Sequence, residues 1–130
     1  PDARTAVEGA DVVVTAGPMS PDPDRRLERS WLPDRVLVLP VDFDAYVPAE
    51  VVADADDLVT DDVDQFEHYR GLGHFQGWPS ARSLGVALET APHGSLRISC
   101  SLGVGAVDAA LAAVVWQRAQ EEQVGVRLPR

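Results

Sequence analysis

The chain has 130 residues, 45% of them hydrophobic, which fits one globular domain with a sizeable core. Its net charge of −10 repels phosphate backbones, and its 11 basic residues are all Arg, so nucleic-acid partners, a Schiff-base or general-base lysine and a Walker-A phosphate loop are excluded. Cys100 is the single cysteine, which rules out an intrachain disulfide and a cysteine-built zinc centre. No apolar run approaches the ~20 residues that span a bilayer, so a cytoplasmic location without a membrane partner is expected.

In chain order, residues 2–8 read as a helix-like stretch that opens as if inside a longer polypeptide. Asp11-Val-Val-Val-Thr-Ala-Gly17 is a β-branched run of the kind found in parallel strands buried on both faces, stopped by Gly17 and Pro18. Arg35-Val-Leu-Val-Leu-Pro-Val41 is a second such run, followed by Asp42, Asp44 and a short helix from near Pro48. Asp57-Leu-Val-Thr-Asp61 is a third. Strands separated by short helices imply βαβ units.

Residues 62–69 form the next expected helix, followed by a Gly-rich loop carrying His74, Phe75 and Trp78, with Ser80 capping a helix to about Glu89. Residues 95–101 are a fourth expected strand. Gly103 leads into a long helix whose Val104, Val107, Leu111, Val114 and Val115 share one face and which Gly125 terminates. The expected fold class is α/β, an incomplete Rossmann-like parallel sheet with flanking helices and a long C-terminal helix.

In open α/β sheets ligands bind outside the carboxyl ends of the strands. That places three loops at the site: 15–18, 42–47 and 101–105. Small residues in the first suit close approach of a flat ring or ribose, or make a simple turn. Asp42 and Asp44 lie two apart, so in an extended segment they point the same way and can split their pKa values; alternatively, one caps the helix near Pro48 and the other is solvated. The aspartates of segments 54–57 and 61–64 lack calcium-loop spacing and read as a solvated acidic surface. His68, His74 and His93 are scattered and read as surface or packing residues, with no metal site. Cys100 is either a thiol activated beside a helix N-terminus or a small buried residue. Trp78 reads as packing or as a lid over a ligand.

The order of the motifs resembles the ornithine cyclodeaminase/mu-crystallin family. Gly9-Ala-Asp-Val-Val-Val-Thr-Ala-Gly17 is similar to its "ADVVVTAT" strand, and Trp31-Leu-Pro-Asp-Arg-Val-Leu-Val-Leu-Pro-Val-Asp-Phe-Asp44 to its "WLKPGTHVNAVGAD". Residues 45–51 follow its "xPGKxEL" segment, Ser83-Leu-Gly-Val-Ala-Leu88 its "LGEVL" helix, and Ser99-Cys-Ser-Leu-Gly-Val-Gly-Ala-Val-Asp108 its "FKSVGLAVED", before an alanine-rich helix and a closing "GVRLP" strand.

The resemblance implies that residues 1–130 are the C-terminal part of a Rossmann-like NAD(P)-binding domain, with 104–130 returning as helix and strand. It implies an NAD(P)-dependent amino-acid oxidoreductase or cyclodeaminase working through an imine, or a mu-crystallin-like NADPH and small-ligand binder without catalysis. Asp44 matches the general acid/base, and Thr15, Ala16, Gly17, Asp42, Ser101, Leu102 and Gly103 would line NAD or NADP. Implied partners are an amino-acid or imino-acid substrate, a missing N-terminal half or partner chain, and a second copy in a homodimer. The chain contains no G-x-G-x-x-G turn; that turn and the substrate-gripping Arg and Lys would lie upstream, leaving this chain inactive alone. Pro48 and Cys100 replace family lysines, and Asp42 replaces a glycine. A response-regulator-like phosphoacceptor is the third reading, disfavoured by the absence of lysine.

Overall fold

The computed structural model describes the chain apart from residues 1, 19, 21, 91–93, 127, 129 and 130. Among the described residues five strands are formed: β1 (Val12–Thr15), β2 (Val36–Pro40), β3 (Asp57–Thr60), β4 (Arg82–Ser83) and β5 (Leu96–Cys100). With them run helices α1 (Ala3–Val7), α2 (Ala49–Ala53), α3 (Val63–Gly71), α4 (Leu84–Leu88) and α5 (Gly105–Glu121). Every strand pair is parallel and the order is β1-β2-β5-β3-β4, a Rossmann-like α/β sheet. Parallel neighbours require crossovers, and α2, α3 and α4 supply them after β2, β3 and β4. Asp2 and Asp62 start α1 and α3 by accepting the backbone N–H of Thr5 and Gln65.

The two central strands set the core. Val36, Val38 and Pro40 on β2 and Leu96, Ile98 and Cys100 on β5 alternate with half-buried residues. Their buried side chains pack with Val47, Val51 and Val52 around α2, and with Phe66, Phe75 and Trp78. Phe66 stacks on Phe75 at 4.5 Å, and Phe75 meets Trp78 at 5.2 Å. Each such burial contributes roughly 1.5–3 kcal/mol. Trp78 is therefore a core residue, which removes it as a lid.

Several local expectations are corrected. β1 is an edge strand with only Val13 buried, while Val12 and Val14 are exposed, so this strand is not covered on both faces. Ser80 caps no helix: Arg82 and Ser83 extend beside β3, and α4 begins after Ser83. The apolar face of α5 does not pack into the core. Leu111 is 61% exposed and the helix buries no residue, so its alanines hold it by propensity. It ends at Glu121 with Glu122 as its C-cap and Gln123 left-handed at φ 54°, before Gly125 is reached. Gly125, Val126 and Leu128 form no strand, and Arg127 and Pro129 of the expected closing strand lie outside the described residues. So do Pro1 and His93. Among the described residues no helix is long and apolar enough to cross a membrane.

Candidate functional site

The carboxyl ends of β1, β2 and β5 carry the three loops singled out from the sequence. Asp42 follows β2 and is buried. Its Oδ1 accepts the Thr15 hydroxyl at 2.6 Å and its Oδ2 accepts the Gly17 N–H at 2.9 Å. Both oxygens thus tie the loop after β1 to the loop after β2. Gly17 is required by close approach, since a Cβ there would run into the Tyr46 ring. Ala16 and Gly17 also line an apolar cavity of about 260 Å³ with Val7, Val13, Trp31 and Tyr46.

Asp44 is equally buried, at 3% exposure, but turns to different partners. Its Oδ2 accepts from Arg25 Nη2 at 2.5 Å, and its Oδ1 lies 3.6 Å from His74 Nδ1. The segment is not extended as its sequence suggested, because Phe43 between the two aspartates is left-handed at φ 60°. That conformation costs a bulky residue on the order of 1–2 kcal/mol. Packing overrides it: the Phe43 ring lies 4.8 Å from Tyr69, 5.2 Å from His74 and 5.4 Å from Phe75. The turn separates the carboxylates, and neither caps a helix, since Pro48 occupies that position at α2 without a side-chain bond. The solvated-cap reading of the pair is overturned by their burial.

Arg25, Asp42, Phe43, Asp44, Gly73 and His74 surround a cavity of about 200 Å³. Arg25 and His74 reach it from segments 19 and 30 positions away from Asp44 in the chain. Sequence reasoning missed both. The signal available for His74 was its place in a Gly-rich loop beside aromatic residues; Arg25 had none.

The loop after β5 is held by Asp61, whose Oδ1 accepts Leu102 N–H at 2.8 Å and whose Oδ2 accepts Gly103 N–H at 2.9 Å. The acidic segments are therefore not merely a solvated surface. Asp56 accepts the N–H groups of Ser95 and Leu96 at 2.6 and 3.0 Å, and these bonds lower its pKa. Asp57 receives a two-pronged bond from Arg82 at 3.0 and 2.7 Å. Ser101 is exposed beside this loop. Cys100 is fully buried, and burial, then the nearby Asp61, Asp44 and Asp42 carboxylates, push its thiol up to about 12, which removes it as a nucleophile. Among the described residues no three His, Cys, Asp or Glu side chains group as a metal site.

The residues expected to meet NAD(P) fall in two clusters, 15–17 with Asp42 and 101–103 beside Asp61. Their N–H groups at Gly17, Leu102 and Gly103 are already taken by carboxylates, so these three donors are not free to cradle a phosphate. Each carboxylate keeps lone pairs for a hydroxyl or amide N–H. Such acceptors suit a hydroxyl-bearing ligand, whereas the three occupied N–H groups do not suit a phosphate.

No family model matches the chain, and no curated protein matches it. Five chains of solved structures match. One, the crystal structure of CmnK, has a TM-score of 0.76 at 24% identity and covers 98% of this chain and 41% of CmnK. The chain thus spans about two-fifths of the length of CmnK, and the likeness is one of fold.

Proposed function

We propose that this chain is part of an NAD(P)-dependent amino-acid oxidoreductase or cyclodeaminase that works through an imine, with Asp44 as its acid/base. The observation that carries the reading is a buried carboxylate at the end of β2 facing a cavity, with one oxygen fixed by Arg25. NAD(P), when bound, supplies the hydride donor or acceptor. Thr15, Ala16, Gly17, Asp42, Ser101, Leu102 and Gly103 would border its nicotinamide-riboside end. The chain's own residues handle the proton: Arg25 orients Asp44, whose Oδ1 takes a proton from a water or amine adding to the imine carbon and returns it in the reverse step. Burial keeps bulk water from competing. The chain contains no G-x-G-x-x-G turn, so the phosphates would be met by another segment or a partner chain, in keeping with a homodimer.

The test uses the protein in its full natural form. NADH and NADPH binding is followed by fluorescence, and turnover is assayed with a panel of 2-amino acids and with 2-oxo acids plus ammonia. Asp44→Asn should lower kcat about 10²–10⁴-fold while leaving cofactor binding intact. Binding without turnover in the unaltered protein would favour a mu-crystallin-like binder, a reading supported by the occupation of Asp44 Oδ2 by Arg25. Loss of both binding and turnover would overturn the proposal.

A further inference from the structure

The cavity around Asp44 holds a second proton-carrying group. His74 Nδ1 stands 3.6 Å from Asp44 Oδ1, too long for a hydrogen bond and within a small side-chain adjustment of one. The two residues differ sharply in exposure: the Asp44 side chain is 5% exposed and that of His74 is 41%. The imidazole therefore spans the distance from a buried carboxylate to solvent. Its ring is not free to wander. Edge contacts hold it against Phe43 at 5.2 Å and Tyr69 at 5.8 Å, and the residue's backbone N–H donates to the Tyr69 carbonyl at 3.1 Å. Arg25 occupies the other carboxylate oxygen and is a donor with no acceptor site, whereas the His74 imidazole pairs one donor nitrogen with one acceptor and can pass a proton through. The ionisable groups around the cavity are Arg25, Asp42, Asp44 and His74, and Asp42 is engaged with Thr15 and Gly17.

We infer that His74 is a positioning and relay residue that carries protons between Asp44 and solvent, an inference that rests on the acid/base reading of Asp44. After Asp44 has taken a proton, Oδ1–H transfers it to the Nδ1 lone pair of His74, and the proton on Nε2 leaves to water. The carboxylate is regenerated, one proton has reached solvent, and the ring is left as the Nδ1–H tautomer. In the opposite half-reaction Nε2 takes a proton from water and Nδ1–H returns one to Asp44, restoring the first tautomer. No other reactant is needed.

The experiment measures NAD(P)H-linked turnover of the full natural protein, with unaltered, Asp44→Asn, His74→Ala and His74→Gln forms side by side. His74→Ala should lower kcat on the order of 10- to 100-fold with KM little changed, less than the loss expected for Asp44 itself. Free imidazole, small enough for the emptied cavity, should restore much of the rate, and substituted imidazoles should restore it in order of basicity. His74→Gln, which keeps polarity but relays no proton, should stay as slow as His74→Ala and gain nothing from imidazole. Thermal melts and cofactor binding verify that each form is folded. An undiminished rate in either His74 variant, or a slow His74→Ala that imidazole leaves slow, overturns the relay while the loss in Asp44→Asn keeps the acid/base reading. An Asp44→Asn protein as active as the unaltered one, or no turnover in any form, overturns that reading and the relay with it.

Discussion

Substituting Ala for Asp42 removes the acceptor of two hydrogen bonds at once, the Thr15 hydroxyl at 2.6 Å and the Gly17 N–H at 2.9 Å. Bonds to a charged acceptor contribute about 1.5–3 kcal/mol each. Removing a carboxylate that is only 3% exposed also relieves its desolvation, which offsets part of that sum. A net loss of about 2–4 kcal/mol follows, or roughly 10 °C in Tm for a chain of this size. Asp42→Asn should cost only about 1 kcal/mol, because its Oδ1 still accepts from Gly17 and the Thr15 hydroxyl can turn to accept from the new amide. Urea unfolding gives the comparison through a shifted midpoint at constant slope. A double-mutant cycle with Thr15→Val should return a coupling of about 1–2 kcal/mol. A cost below about 0.5 kcal/mol for Asp42→Ala, or no coupling, would refute the argument that this carboxylate ties the β1 and β2 loops together.

Gly94 has φ +70° and a Cβ there would strike the Asp56 carboxylate, so Gly94→Ala should destabilise by about 1–3 kcal/mol in urea unfolding. Gly73, at φ +101° with open space around it, should suffer less from the same change. Asp56 has a folded pKa depressed below 3.8 by two backbone N–H bonds, so its contribution is present above about pH 4 and lost as pH falls through the folded value. Asp56→Asn should flatten urea midpoints measured from pH 5 downward. Cys100, buried and pushed up to about 12, should resist a disulfide reagent at pH 8 in the native protein and react only on unfolding. Amides of α5, which buries no residue, should exchange with solvent far faster than those of β2 and β5.

Much of the fold was legible because β-branched runs at 12–15, 36–40, 57–60 and 96–100 carry their strand preference locally. The loops that form the site followed from the rule that carboxyl ends of parallel strands converge. What escaped was long-range. The partners of Asp44 come from Arg25 and His74, and those of Asp61 from Leu102 and Gly103, pairings that no local pattern encodes. An acidic cluster at 54–64 looks solvated from composition, yet a carboxylate beside a loop finds backbone donors as readily as water does. The turn between Asp42 and Asp44 was hidden because a left-handed Phe43 opposes local preference and exists through its ring contacts.

The strand order has a consequence for how the molecule assembles. β1 with β2 and β3 with β4 are pairs made from chain neighbours, whereas β5, the last of the described strands, is wedged between β2 and β3. Until residues 96–100 exist and dock, the nascent chain holds two half-sheets whose apolar inner edges at Val36, Val38 and Leu58 have no mate. Such edges recruit strands from other molecules. Closure is thus a long-separation event that slows folding, and residues 96–100 must be synthesised before β5 can bridge the strands that carry the Asp44 and Asp61 loops.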